Sequence, residues 1–165
     1  MIEPEVLLNF IKDRRSIRQF QEKDIPPEEI EMILEAGRWT PSASNRQPWE
    51  FIVIRNKEII KKIGETQSQS FWVTAPVHVA IVGKKKKNPN WYKIDTALAS
   101  MNMMLMAWAL KIGTCWVGAM DKQKAKEILG LTENDFLLTI LPMGYVKGNI
   151  PKSYRTLMKR ITREI

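Results

Sequence analysis

Apolar positions recur along this chain in steps of three and four, most clearly in its middle. Ile94, Leu98, Met101, Leu105, Trp108 and Ile112 mark one face of a long α-helix opened by Asp95 and stopped by Gly113. Ala97, Ala99, Met103, Met104, Met106 and Leu110 fill the other faces, so this helix is apolar almost all round and must be wrapped on every side. In a chain of 165 residues, a partner subunit is the natural cover for one of those sides.

Shorter patterns flank it. Residues 4–13 predict a helix with Val6, Leu7, Phe10 and Ile11 on one side and Pro4 in its first turn. Pro26-Pro27-Glu28-Glu29 starts a second, because prolines suit the first turn and carboxylates suit the positive end of the helix dipole. It turns Ile30, Ile33 and Leu34 inward, with Gly37 near its end. Further helices are expected at 57–65 and from Asp121 to near Gly130. Runs rich in β-branched and aromatic residues predict strands at 49–55, 76–82, 114–120 and 137–146, with Pro142 marking an edge or a bulge. Strands and helices mix without strict βαβ alternation, repeat or linker. The expectation is one α+β domain over residues 1–165.

Composition narrows the class. The chain is 44% hydrophobic and 27% charged, and no apolar run approaches the ~20 residues of a membrane span. Its beginning has neither a basic n-region nor a small-residue cleavage site. One cysteine and one histidine exclude an intramolecular disulfide and offer no metal-site spacing. These features point to a reduced, cytoplasmic, metal-free protein. The net charge of +8 could serve nucleic acid, an anionic ligand or solubility. Much of it falls in Lys84-Lys85-Lys86-Lys87 and Lys159-Arg160, read as solvated, and nucleic-acid binding has no motif behind it.

Two polar stretches carry the chemistry. RRSIRQF (residues 14–20) sets three guanidiniums and a hydroxyl in five residues just after a helix, a donor set that matches the oxygens of a phosphate. The ordinary alternative is a basic helix C-terminus favoured by the dipole. PSASNRQPW (residues 41–49) crowds two hydroxyls, two amides and a guanidinium between prolines, and its amides can read a ring with both donors and acceptors on one edge. An ordinary turn uses the same residue types.

Together these stretches resemble the nitroreductase-like family of FMN-dependent oxidoreductases. The resemblance runs in order along the chain, through Ala75-Pro76, the Asp95 helix, Gly113-Thr114-Cys115-Trp116-Val117-Gly118 and Met143-Gly144-Tyr145. It implies a mainly antiparallel sheet flanked by helices in an intertwined homodimer. The FMN phosphate and ribityl chain would be held by Arg14, Arg15, Ser16 and Arg18, with Arg155 closing on the phosphate from the tail and Lys152 as an adjunct. Pro41, Ser42, Ala43, Ser44 and Asn45, with Gln47, would lie against the flavin ring from the other subunit. Gln69 would meet its pyrimidine edge, with Arg46 a further positive group there, and Gly118 and Ala119 would bring backbone to N5. The implied activity is ping-pong hydride transfer from NADH or NADPH through the flavin to a nitroaromatic, quinone or similar small-molecule acceptor. A flavin-binding sensor, carrier or assembly protein is the alternative. The chain departs from the family at Lys111-Ile112 and at Ala43, and leaves little room for helices that roof the pocket. His78 and Cys115 are read as inert core residues, and the tryptophans as mostly core.

Overall fold

The computed structural model of the protein describes residues 2–150 and 152–165. Its centre is the run Val77 to Gly83, where every residue is buried, as expected of a strand covered on both faces. This strand, β2 (Val77–Lys84), pairs antiparallel with β1 (Trp49–Ile54) and with β4 (Asp135–Tyr145), and β3 (Ile112–Thr114) completes the order β1-β2-β4-β3. The helices are α1 (Pro4–Asp13), α2 (Pro27–Arg38), α3 (Lys57–Gly64), α4 (Tyr92–Ala109) and α5 (Lys122–Ile128).

Strand alternation divides the core into two layers. Val77, Val79, Ile81, Leu141 and Met143 pack with Ile30 and Ile33 of α2 and Met103, Met104 and Ala107 of α4. Ala80, Val82 and Ile140 face the opposite way, onto Ile60 and Ile63 of α3, Ala125 of α5 and Trp72. The expected mainly antiparallel α+β architecture is therefore present. At Gly37 helices α2 and α4 come so close that an added Cβ would lie 2.7 Å from Met103 Cγ.

Three local expectations are corrected. Helix α4 begins at Tyr92 and ends at Ala109, with Lys111 making the turn at φ 61°. Gly113 therefore does not stop the helix: it lies inside β3, where a Cβ would meet Ile17 Cβ at 2.6 Å. The segment 114–120 is not a strand, since β3 ends at Thr114 and only a lone bridge, Val117 to Ile140, continues the pairing. Pro142 is in a central strand rather than at an edge. It occupies the gap between the Thr114–Met143 pair and that lone bridge.

The outer side of α4 shows what the pattern could not. Ile94 (51% exposed), Leu98 (47%) and Met101 (37%) belong to the periodic stripe, yet this first half of it is uncovered, and the fully buried residues of the helix are those between its positions. Helix α1 buries none of its side chains, and Val6, Leu7, Leu8 and Ile11 are exposed. After α1 the chain seals the β3 edge: Ile17 N–H donates to Thr114 O (2.9 Å), Gln21 N–H to Tyr145 O (2.9 Å), and Lys147 N–H to Gln19 O (3.0 Å). Among the described residues, no helix is long and apolar enough to cross a membrane, and no cluster of His, Cys, Asp or Glu could hold a metal ion.

Candidate active site

RRSIRQF begins where α1 stops, because Arg14 leaves helical backbone (φ −59°, ψ 133°) and Ser16 then bridges to Thr114. That pairing fixes the segment against the sheet edge, and Arg155 of the tail lies close enough for its charge to act on Arg14. The Arg14 guanidinium is held below its usual pKa by burial first, then by the positive charges of Arg155 and Arg15. Its Nη1 is buried with no hydrogen-bond partner. Among the described residues no carboxylate pairs with Arg14 or Arg155. Arg15 Nη1 donates to Arg14 O (3.0 Å) and also to Lys12 O. Arg155 Nη1 donates to Tyr154 O (2.8 Å) and to the Ser153 hydroxyl. Arg14 and Arg15 are half-buried and Arg155 is exposed, and like charges gathered around a buried, orphaned donor are unfavourable unless an anion joins them.

Arg18 is exposed, with its guanidinium 5.9 Å from the Phe71 ring centroid. Cys115 is buried in the same corner. Burial pushes its thiol pKa up while Arg18 and Arg14 pull it down, so positive neighbours absent from the sequence reading are present but outweighed. Beyond it, Trp116 (40% exposed), Gly118 and Ala119 leave a stretch of chain open to solvent. An added Cβ at Gly118 would meet nothing nearer than Trp116 Nε1 at 3.7 Å, so packing within the chain does not require glycine there.

The 41–47 loop is built differently. Ser44, Asn45 and Gln47 have φ of 54°, 52° and 47°, left-handed conformations that cost non-glycine residues energy and concentrate at functional sites. Inside the loop, Gln47 N–H donates to Ser42 Oγ (2.9 Å) and Gln47 Nε2 to Asn45 Oδ1 (3.1 Å). Two residues outside it hold it. Asp95, 3% exposed, accepts from the Ala43 N–H at 3.2 Å, and Asn88 Nδ2 donates to Asp95 Oδ2 (3.2 Å) and to Ala43 O (3.4 Å). Asn102 Nδ2 anchors the preceding Thr40 Oγ1 at 2.8 Å. Sequence reading made Asp95 a helix opener and passed over Asn88. The available signal was a carboxylate one turn inside an otherwise apolar helix.

Gln69 caps the short helical turn Ser70–Thr74, and its own backbone is clipped by Gln67, whose side chain accepts from Gln69 N–H (2.5 Å) and donates to Gln69 O (3.1 Å). His78 is in the core but is not the satisfied histidine expected: neither ring nitrogen has a partner, and its ring centroid is 4.3 Å from that of Trp72. Burial pushes its pKa down to about 3, against an opposing influence from the Trp72 backbone. The lysine run is only partly solvated. Lys84 ends β2 between Glu50 (2.5 Å) and Asp135 (2.7 Å), and Lys85 Nζ donates to Glu133 O at 2.6 Å.

The structure gathers Arg14, Arg15, Ser16, Arg18 and Arg155 at one corner and Ser42 to Gln47 at another. The arginines lie outside β3, at the Met143 end of the sheet, whereas the loop leads into β1 at the Gly83 end, across the opposite edge. Strand spacing and rise place the two corners about 25 Å apart. Helix α4 spans the same interval: its 18 residues run about 27 Å from the Asp95 end to the turn before β3.

The sequence profile of the Nitroreductase family matches residues 11–76 and 65–145. A protein of Archaeoglobus fulgidus with the provisional name NADH dehydrogenase/NAD(P)H nitroreductase is 35% identical over 151 residues, covering 87% of each chain. A namesake from Methanothermobacter thermautotrophicus is 34% identical over 150 residues, 87% of this chain and 78% of its own. The crystal structure of a provisionally named nitroreductase from Desulfovibrio desulfuricans, in complex with FMN, superposes with a TM-score of 0.88 at 28% identity, over 100% of this chain and 99% of the other. The order of motifs, the sheet and these likenesses agree, and the chain belongs to the Nitroreductase family.

Proposed function

We propose that this protein is an FMN-dependent NAD(P)H oxidoreductase that works as a homodimer and delivers electrons to a nitroaromatic, quinone or similar small acceptor. The observation that carries the reading is the buried, unpartnered Nη1 of Arg14, beside two further guanidiniums with no carboxylate paired to Arg14 or Arg155. A phosphate there would accept charge-assisted hydrogen bonds worth about 1.5–3 kcal/mol each and relieve the mutual repulsion. The FMN found in the Desulfovibrio relative carries such a phosphate. Arg14, Arg15, Ser16, Arg18 and Arg155 would hold it, and the open 116–119 stretch leaves room for a flat ring beside exposed backbone. When bound, the flavin supplies the hydride and electron chemistry between nicotinamide and acceptor. The protein then needs no proton-transfer residue of its own, and His78, buried and neutral down to about pH 3, is not one.

The separation of the two corners supports the homodimer. FMN, one three-ring head on a five-carbon chain, does not reach across about 25 Å from the arginines to the 41–47 loop. Packing two copies antiparallel along the uncovered Ile94-Leu98-Met101 stripe would place the loop end of one α4 beside the arginine end of the other. Each site would then take its phosphate grip from one chain and its Ser42–Gln47 loop from the partner. Gln69 would approach the ring on the arginine side, since Phe71 of the same turn already contacts Arg18.

The test is spectroscopic. Protein incubated with FMN and freed of excess should show bound-flavin absorption near about 450 nm that NADH or NADPH bleaches anaerobically. Protein that stays colourless overturns the reading. Steady-state NAD(P)H oxidation with a quinone, no faster than free FMN supports, would instead favour a flavin-binding protein without turnover.

A further inference from the structure

Away from the arginine corner, a buried polar pair, Asp95 and Asn88, lies under the 41–47 loop. We propose that Asp95 and Asn88 are positioning residues: they clamp the loop backbone at Ala43 and so hold Ser42 to Gln47 in the one conformation that can meet the flavin. The inference rests on the reading of that loop as a flavin contact and goes beyond it by naming what sets its geometry.

The loop cannot hold its shape unaided. Three non-glycine residues within four positions occupy left-handed backbone, and each prefers to relax to the extended or right-handed region. Two backbone bonds, Asn45 N–H to Ser42 O (2.9 Å) and Arg46 N–H to Ala43 O (3.2 Å), close the turn without tying it to the rest of the protein, and its two side-chain bonds involve exposed side chains or half-buried Ser42, where water competes on equal terms. The clamp, in contrast, is built from two buried side chains. Asp95 and Asn88 are 3% and 4% exposed, and both backbone polar groups of Ala43 are engaged, the N–H by Asp95 and the C=O by Asn88. Asn88 also donates to the other carboxylate oxygen, so each partner fixes the rotamer of the other. No cation pairs with Asp95 among the described residues. A buried carboxylate supported only by amide donors is expensive for packing alone and consistent with a positional task.

Its place on α4 gives the clamp a second consequence. Ile94, the neighbouring residue, lies on the uncovered stripe, so the helix turn that carries the carboxylate is also the one offered to a partner subunit. Loop position and subunit packing are thereby set by one rigid element.

The experiment uses the full-length chain, with Asp95→Ala, Asn88→Ala and Asp95→Asn compared to Ile63→Val, a core change in the opposite layer. Hydrogen exchange of peptides spanning residues 41–48 in FMN-free protein reads the clamp, and FMN titration with visible circular dichroism of the bound flavin reads its effect on the site. The expected result is about tenfold faster exchange in that segment and about tenfold weaker FMN binding with an altered flavin dichroism for both alanine variants. Asp95→Asn, which keeps an acceptor for Ala43 N–H, should recover most of both, and Ile63→Val should move neither. Unchanged exchange in Asp95→Ala overturns the clamp. Faster exchange with wild-type FMN affinity and dichroism overturns its role at the site; if Ser42→Ala and Asn45→Ala are equally silent, the loop itself is not a flavin contact and the fault lies in the reading beneath.

Discussion

Arg14 is the residue at which stability and binding oppose each other. Its orphaned Nη1 and repelling neighbours are unfavourable in the chain alone, and on the proposed reading a bound phosphate would remove both costs. Arg14→Ala with Ser16→Ala should therefore weaken FMN binding about a hundredfold, the equivalent of two charge-assisted bonds. The FMN-free variant should melt no lower than the parent, as thermal denaturation with and without FMN would show. His78 yields a pH prediction. Its folded pKa of about 3 lies below its unfolded value near 6.5, so between those limits the unfolded chain binds the extra proton. The imidazole is neutral in both states above about pH 6.5, and stability is lost as pH falls from there towards 3. The loss should be about 5 kcal/mol at most. His78→Phe should flatten that acid slope in denaturant titrations, and an unchanged slope would disprove the assignment. Both polar motifs stood out in the sequence because their guanidiniums, hydroxyls and amides are concentrated in a few residues. Asp95 was not, since the group it grips is a backbone N–H 52 residues away, which no side-chain pattern encodes.

Secondary elements with one buried stripe or two buried faces were readable from periodicity, and those limited by backbone geometry were not. Strand β2 and helices α1 to α3 lie within a residue or two of their expected bounds. The expected 114–120 strand failed because apolar, β-branched composition says nothing of hydrogen-bond partners, and here β4 has lost its outer neighbour after Thr114. Gly113 was legible as important but for the wrong reason: it yields space to Ile17 rather than ending α4. Gly113→Ala should destabilise the protein by about 1–3 kcal/mol through overpacking and loosen the arginine segment with it. Denaturant midpoints and FMN affinity should fall together. For α4 the expectation that a partner covers one side concerns the Ile94-Leu98-Met101 face. Leu98→Glu sets a carboxylate on that face in both copies and should weaken dimerisation by more than about a hundredfold. Sedimentation would report the monomer, and absorption would report loss of flavin although every arginine remains.

In the whole molecule, the proposed shared site makes a prediction that no single-chain site can. Suppose Arg14→Ala chains and Asn45→Ala/Ser42→Ala chains each fail to bind FMN as homodimers. A mixed dimer then contains one site with both defects and one with none. Co-expression should restore about half of the parental flavin content, read from the absorbance of the tagged heterodimer. If arginines and loop served the same site within one chain, mixing would restore nothing.

The strap formed by residues 14–21 has a consequence for how the protein is made. Its backbone bonds reach Thr114, Tyr145 and Lys147, so residues 14–21 have no resting place until the segment 112–147 is in position. A folding intermediate without that segment in place would carry the arginines unassembled. Flavin colour, if acquired through them, would then report that the far edge of the sheet has closed.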